Sequence, residues 1–203
     1  GDVAALMYSN PNNPAWICFS DQELEIIGEL ATKYDCIVME DLAYFGMDFR
    51  KDYSQPAQPP FIPSVAHYTD NYILLISSSK SFSLAGQRIG MTAIPDKLFT
   101  SKADNLKGWF GTDKFGYAYI FGAMYALSSG VSHSNQYGLF GLLKAVNDGQ
   151  YNFVESVKEY GDRAAVMKRL FVENGFKIVY DMDEGEKIAD GFYFTISFPG
   201  FTG

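Results

Sequence analysis

Short apolar runs that are typical of buried strands alternate with amphipathic stretches through the first hundred residues. The runs span residues 4–8, 36–39, 72–77 and 90–94, and Pro95 closes the last of them. Strands that alternate with helical stretches favour a mainly parallel sheet whose faces are covered by helices. The sequence therefore predicts an α/β fold.

Caps and apolar spacing predict the helices. Ser20 and Glu23 form a Ser-x-x-Glu capping box, and apolar residues then recur at helical spacing, so a helix is expected over 21–33. The same spacing predicts helices within 115–130, 136–146 and 151–173. Residues 51–63 contain four prolines and are expected to form a long loop.

A smaller α+β domain is expected to begin near Gly149. Two strand-like runs, 176–180 and 192–198, flank a charged loop over 181–190. We therefore expect residues 1–149 to be part of a large domain, and residues 150–203 to supply an interdomain helix and the start of a small C-terminal domain. The chain starts without a Met and stops directly after a strand-like run, so we expect it to be part of a longer protein.

Charge and hydropathy argue against several classes of partner. The 203 residues include 16 Lys and Arg against 24 Asp and Glu, a formal net charge of −8, and contain no run of basic residues. A nucleic acid or an anionic membrane surface needs a basic patch, which is not indicated here. Nor does the sequence contain a stretch of about 18 apolar residues that could span a membrane. The expected ligand is a small molecule.

The cysteines and histidines indicate neither a disulfide framework nor a metal site. Cys18 and Cys36 form no Cys-x-x-Cys motif, and His67 and His133 are isolated from them and from each other. We interpret both cysteines as small buried apolar residues in a reducing, cytoplasmic setting.

Three polar clusters fall at the ends of predicted strands, where α/β sheets place ligand-binding groups. The first is Asn13-Pro14, the second is Asp41-Leu42-Ala43-Tyr44, and the third is Ser77-Ser78-Ser79-Lys80 with Arg88 eight residues after the lysine. Each cluster alone is a weak signal, because a strand-end Asp often caps a helix and a lone Lys is usually solvated.

Together, in this order and at these separations, the clusters resemble the successive cofactor-binding motifs of the class I/II aminotransferases. That family contains aspartate-aminotransferase-like enzymes of fold type I, which depend on pyridoxal 5'-phosphate. The resemblance implies that the chain holds part of the cofactor-binding large domain. It also implies amino-group transfer between an amino acid and a 2-oxo acid, and a homodimer in the full-length protein.

The resemblance assigns a role to each motif residue. Lys80 matches the lysine whose amine forms a Schiff base with the cofactor aldehyde and then shuttles a proton. Asp41 matches the carboxylate that keeps the pyridine nitrogen protonated. Asn13 and Tyr44 match the residues that hydrogen-bond the phenolic oxygen of the cofactor.

The phosphate of the cofactor has its own predicted ligands. Arg88 and Ser77 match the phosphate-binding residues of the family, and a guanidinium suits that role because it can offer two parallel hydrogen bonds to one phosphate. The family loop usually continues Asn-Pro-Thr-Gly, whereas Asn13-Pro14 is followed here by Ala15-Trp16. We expect Trp16 to pack in the core, with a narrower substrate entrance as the alternative.

The motifs are also compatible with other functions. The same Lys, Asp, Tyr and Arg serve pyridoxal-phosphate lyases that catalyse β-elimination, such as C–S lyases, and they also occur in non-catalytic regulatory domains that sense the cofactor. A purely structural role in a larger assembly is the third alternative. The resemblance also implies that the substrate-carboxylate arginine and the N-terminal half of the family fold lie outside this sequence, so the chain alone is expected to be inactive.

Overall fold

The central element is a four-stranded sheet, seen in a computed structural model that describes residues 3–53, 58–188 and 190–202. Its strands lie in the order β1-β2-β3-β4. They are Ala5–Ser9 (β1), Ile37–Leu42 (β2), Tyr72–Ser77 (β3) and Gly90–Ala93 (β4). The first three strands are parallel, and β4 is antiparallel to β3. The predicted, mainly parallel sheet is confirmed.

The direction of β4 follows from the short connection that precedes it. Only a 3-10 turn, Ala85–Gln87, lies between β3 and β4. A parallel neighbour requires a crossover, which is usually an α-helix, so a chain without one returns in the opposite direction. Gly90 is required where β4 begins, because a Cβ there would lie 2.8 Å from the carbonyl oxygen of Ile76.

Helix α1 spans Asp21–Tyr34 and confirms the helix predicted over 21–33. The capping box is present: the Glu23 amide donates to the Ser20 hydroxyl at 3.3 Å, and the Ser20 amide donates to the Glu23 carboxylate at 2.7 Å. The helix buries Leu24 and Ala31 against Val38 of β2. It therefore covers one face of the sheet.

A buried carboxylate joins the loops around β2. Glu40 is fully buried and accepts hydrogen bonds from the Asn10 amide group at 3.2 Å, the Ser64 hydroxyl at 2.7 Å and the Val65 backbone amide at 3.1 Å. Burial raises the pKa of Glu40, although these three bonds act in the opposite direction. Glu40 thereby fixes the loop after β1 to the segment that follows the proline-rich residues, of which 54–57 lie outside the described part of the chain.

Several helices follow β4, and those after residue 114 lie where helices were predicted, with different bounds. They are Asp96–Phe99 (α2), Lys107–Phe110 (α3), Phe115–Tyr117 (α4), a π-helix over Ala118–Tyr125, Ala126–Ser128 (α5), His133–Asn147 (α6) and Phe153–Glu173 (α7). The π-helix was not predicted. Gly122 lies within it, and a Cβ there would be 2.1 Å from the Phe110 ring, so glycine permits this close contact with α3. No described helix is long and apolar enough to cross a lipid bilayer.

The C-terminal segment departs from its prediction. The strand-like runs 176–180 and 192–198 pair only over Lys177–Ile178 (β5) and Ile196–Ser197 (β8). The expected loop over 181–190 contains a hairpin of Met182–Asp183 (β6) and Glu186–Lys187 (β7). Its two turn residues, Glu184 and Gly185, both have positive φ, as tight hairpin turns require. The prediction of a plain loop there was wrong.

Candidate functional site

The three predicted clusters lie at one edge of the sheet. Because β1, β2 and β3 are parallel, their carboxyl ends meet at the same edge. Asn13 lies in the loop that follows β1, Asp41 lies near the end of β2, and Lys80 follows β3. Residues separated by nearly seventy positions in the sequence are therefore close in the fold.

A chain of hydrogen bonds connects the first two clusters. The side-chain amide of Asn13 donates to the Tyr44 hydroxyl at 3.2 Å, and the Tyr44 hydroxyl donates to the Tyr193 hydroxyl at 2.8 Å. The structure thus brings Asn13 and Tyr44 into direct contact. Tyr193 was missed, because it lies 149 residues beyond Tyr44 in a run that indicated only a strand.

Burial raises the pKa of the Tyr44 hydroxyl, and its hydrogen bond to Tyr193 raises it further. The Asn13 amide acts in the opposite direction, and Asp41 adds a smaller upward contribution. Tyr44 is thus a neutral hydrogen-bond donor at physiological pH. It has a single proton to offer.

Asp41, Ser77 and Arg88 line one open cavity. Its volume is about 430 Å³, within the ~300–1,000 Å³ that is usual for small-molecule sites. One carboxylate oxygen of Asp41 accepts from the Ala43 amide at 3.0 Å, and the Ser77 hydroxyl oxygen accepts from the Ser79 amide at 3.2 Å. An acid, a hydroxyl and a guanidinium therefore surround a space that a small phosphorylated molecule can enter.

The guanidinium of Arg88 is available to an anion. Arg88 is exposed, has a left-handed backbone with φ of 51°, and donates from Nη1 to the carbonyl oxygen of Ala85 at 2.9 Å. Within the described part of the chain, no carboxylate forms an ion pair with it. An arginine beside a cavity and without an acidic partner has donors left for a phosphate.

Lys80 lies in a turn whose backbone is well fixed. Ser78 is buried, and both its hydroxyl and its amide donate to the Ile89 carbonyl. The Ser81 hydroxyl donates to the Phe45 carbonyl oxygen. The Lys80 ammonium group lies 5.6 Å from the centre of the Phe192 ring and pairs with no acid among the described residues. The turn thus presents an amine that no carboxylate holds.

Trp16 packs in the core, as expected. It is fully buried, and its ring centre is 4.9 Å from that of Tyr44 and 6.3 Å from that of Phe192. Its φ of 60° is left-handed, a conformation that glycine adopts more readily than a large residue. A Cβ on Gly191 would lie 2.2 Å from the indole, which explains why glycine occupies that position.

The described residues contain no cluster of His, Cys, Asp and Glu that could hold a metal ion. A second cavity, of about 300 Å³, lies between β1 and α1 and is lined by apolar side chains such as Leu6 and Ile27. No residue of the three motifs lines it. We therefore assign the chemistry to the edge of the sheet where the motifs meet.

Comparison with known proteins agrees with this geometry. Residues 1–181 match the family model described as aminotransferase class I and II. A probable aspartate aminotransferase from Methanocaldococcus jannaschii is 24% identical over 204 residues, which cover 91% of this chain and 52% of that protein. Aromatic-amino-acid aminotransferase 2 from Thermococcus litoralis is 31% identical over 94 residues, which cover 45% of this chain and 22% of that protein.

Solved structures show the same fold. A PLP-bound putative aminotransferase from Clostridium difficile superposes with a TM-score of 0.62 at 17% identity, covering 96% of this chain and 43% of that one. The N-succinyldiaminopimelate aminotransferase of Mycobacterium tuberculosis superposes with a TM-score of 0.61 at 21% identity, and the match covers 93% of this chain and 40% of that one. The chain thus spans about half the length of the first of the relatives above, and less of the others.

Proposed function

The chain belongs to the aminotransferase class I and II family, and on that premise we propose that the protein it forms part of transfers amino groups between amino acids and 2-oxo acids. We propose pyridoxal 5'-phosphate as the cofactor. The observation that carries the proposal is the meeting of the Asn13, Asp41 and Lys80 motifs at one edge of the sheet, beside a cavity that also reaches Ser77 and Arg88.

The donors and acceptors present fit this cofactor. A phosphate requires cationic and hydroxyl donors, which Arg88 and Ser77 supply at the cavity wall. The pyridine nitrogen requires a carboxylate, and Asp41 lines the same cavity. The phenolic oxygen requires neutral donors, and Asn13 and Tyr44 form a hydrogen-bonded pair.

Each motif residue then has a task at the bound cofactor. When bound, the cofactor supplies an electron-withdrawing ring that stabilises negative charge on the substrate α-carbon. Lys80 would hold the cofactor covalently, and its amine, once a substrate amine has displaced it from the cofactor, would accept the proton that leaves the α-carbon. Asp41 keeps a proton on the pyridine nitrogen, and Arg88 with Ser77 orients the phosphate. Asn13 and Tyr44 hold the negative charge of the phenolic oxygen.

The larger context is also proposed. We propose that residues 1–149 are part of the large domain and that residues 150–203 begin the small one, because the β5–β8 and β6–β7 pairs are separate from the main sheet. We propose a homodimer. Apolar side chains that are exposed along α4, the π-helix and α6 support this: Tyr117, Phe121, Tyr125, Tyr137 and Phe140. A reducing cytoplasmic location is supported by the two free, buried cysteines.

The proposal is tested by trapping the lysine. The whole protein is incubated with pyridoxal 5'-phosphate, reduced with borohydride and mapped by peptide mass spectrometry. We expect the label on Lys80, its loss in Lys80→Ala, and its retention in Lys97→Ala, which removes an exposed lysine of α2. A label on another lysine rejects the assignment.

The same preparation separates the two enzymatic alternatives. A panel of amino acids with a 2-oxo acid acceptor is assayed for the new amino acid, and the same amino acids are assayed without the acceptor for release of ammonia. Amino-group transfer that disappears in Lys80→Ala supports the proposal. Acceptor-independent release of ammonia alone points instead to a lyase.

A further inference from the structure

Tyr193 belongs to none of the predicted motifs, yet its hydroxyl contacts the proposed cofactor site. We propose that Tyr193 is a positioning residue. Its hydroxyl accepts the hydrogen bond that Tyr44 donates, and so limits how strongly Tyr44 can hydrogen-bond the phenolic oxygen of the cofactor. This inference rests on the proposed function. It adds to the site a residue that controls the hydrogen bond from Tyr44 to the cofactor.

Tyr44 has a single proton to donate. A phenolic hydroxyl donates one hydrogen bond and accepts up to two. Asn13 already donates to the Tyr44 oxygen at 3.2 Å, and Tyr44 donates to Tyr193 at 2.8 Å, a normal length for two hydroxyl groups. A phenolic oxygen brought to Tyr44 therefore competes with Tyr193 for the same proton.

Packing holds Tyr193 in this position. Its ring meets the Tyr44 ring edge to face, with centres 5.7 Å apart and planes at 88°. The ring centre of the preceding residue, Phe192, lies 4.4 Å from the ring centre of Tyr160 in α7. Gly191 permits direct contact with the buried indole of Trp16, since any Cβ would overlap that ring. Three successive residues thus dock against the site.

The electrostatic surroundings make the contact consequential. The titratable groups that influence Tyr44 are Tyr193 and Asp41, and Tyr193 has the larger effect of the two. The ammonium of Lys80 lies beside Phe192, the neighbour of Tyr193. Loss of the Tyr193 hydroxyl therefore changes the hydrogen bonding and the pKa of Tyr44, although Tyr193 itself lies beyond α7 in the sequence.

The test is a pH titration of the visible absorbance of pyridoxal 5'-phosphate bound to the whole protein. In Tyr193→Phe the proton of Tyr44 is free for the phenolic oxygen, whose negative charge is then better stabilised. We expect the pH at the midpoint of the absorbance change to fall by about 0.5 to 1 pH unit, which corresponds to the free energy of one neutral hydrogen bond. In a Tyr44→Phe background the second change, Tyr193→Phe, should add no shift.

Tyr160→Phe is the matched control. It removes a hydroxyl from the same aromatic cluster, but that hydroxyl has no hydrogen-bond partner among the described residues, so the midpoint should not move. Thermal unfolding of each variant verifies that it is folded.

Two results overturn the inference. One is a midpoint that stays unchanged or rises in Tyr193→Phe, and the other is an equal shift with and without Tyr44. The proposed function fails separately: a protein whose Lys80 is not labelled and whose absorbance does not titrate rejects both, whereas a normal titration that ignores Tyr193 rejects only the inference.

Discussion

At the residue scale, the Asp41 side chain both accepts a backbone hydrogen bond and lines the open cavity. One carboxylate oxygen is held by the Ala43 amide, and the side chain also lines the open cavity beside Ser77 and Arg88. The backbone contact fixes the carboxylate without neutralising it. Its charge is therefore available to whatever occupies the cavity.

Replacing Asp41 by Asn should separate binding from catalysis. Asparagine keeps an oxygen that can accept from Ala43 but loses the charge that holds a proton on the pyridine nitrogen. We expect the whole protein to retain bound cofactor, while turnover falls by roughly 10²- to 10³-fold, as is common when one preorganised electrostatic group is removed. Steady-state kinetics and cofactor titration measure the two quantities.

The control for this prediction is Asp162→Asn, which neutralises an exposed carboxylate on α7. It carries the same change of charge away from the cavity, so turnover should be retained. Equal activity in Asp41→Asn and Asp162→Asn would remove Asp41 from the proposed mechanism.

The meeting of the three motifs at one end of the sheet could be predicted from sequence, because each motif is local and lies at or just after the end of a strand. Parallel strands bring such positions to one edge, whatever the loops between them contain. Tyr193 could not be predicted in this way. Its place depends on how the segment after α7 packs on Trp16 and Tyr44, and that packing leaves no pattern in the surrounding sequence.

At the scale of elements, local signals again decided which predictions were correct. The capping box of α1 is formed by residues three positions apart, and the helix begins where Ser20 predicts. The antiparallel β4 and the short hairpin of β6 and β7 depend instead on how the chain returns between strands. Strand-like composition alone does not reveal such returns.

Helix α1 offers a prediction of stability at this scale. Ser20→Ala removes the hydroxyl that accepts from the Glu23 amide, leaving one donor of the first turn without its cap. We expect a loss of about 1 kcal/mol in the free energy of unfolding. Denaturant titration of the cofactor-free whole protein measures it.

A second serine provides the comparison. Ser132 precedes α6, but its side chain makes no capping hydrogen bond there; among the described residues the Ser132 hydroxyl bonds only the Ser134 hydroxyl, at 3.0 Å. Ser132→Ala should therefore change the free energy of unfolding by less than about 0.5 kcal/mol. Losses of the same size in both variants would show that the capping bond of α1 contributes nothing beyond an ordinary surface hydroxyl.

At the scale of the whole molecule, the described sheet has two strands with an unpaired edge. Strand β1 pairs only with β2, and strand β4 only with β3, among the described residues. Beside β1 lies the apolar cavity of about 300 Å³, whose lining includes Leu6, Leu30 and Tyr34, all more than 40% exposed. An open strand edge next to exposed apolar side chains favours association with another chain.

The 203-residue chain produced alone should therefore self-associate. Sedimentation velocity is expected to show oligomers or aggregates, and titration with pyridoxal 5'-phosphate should give weaker binding than in the longer protein, because the family resemblance assigns further cofactor contacts to residues outside this sequence. Leu6→Lys places a charge on the edge strand and in the apolar cavity, and should shift the chain toward the monomer. If the unaltered chain is a monomer that binds the cofactor as tightly as the longer protein, then the open strand edge does not drive association and the further contacts do not strengthen cofactor binding.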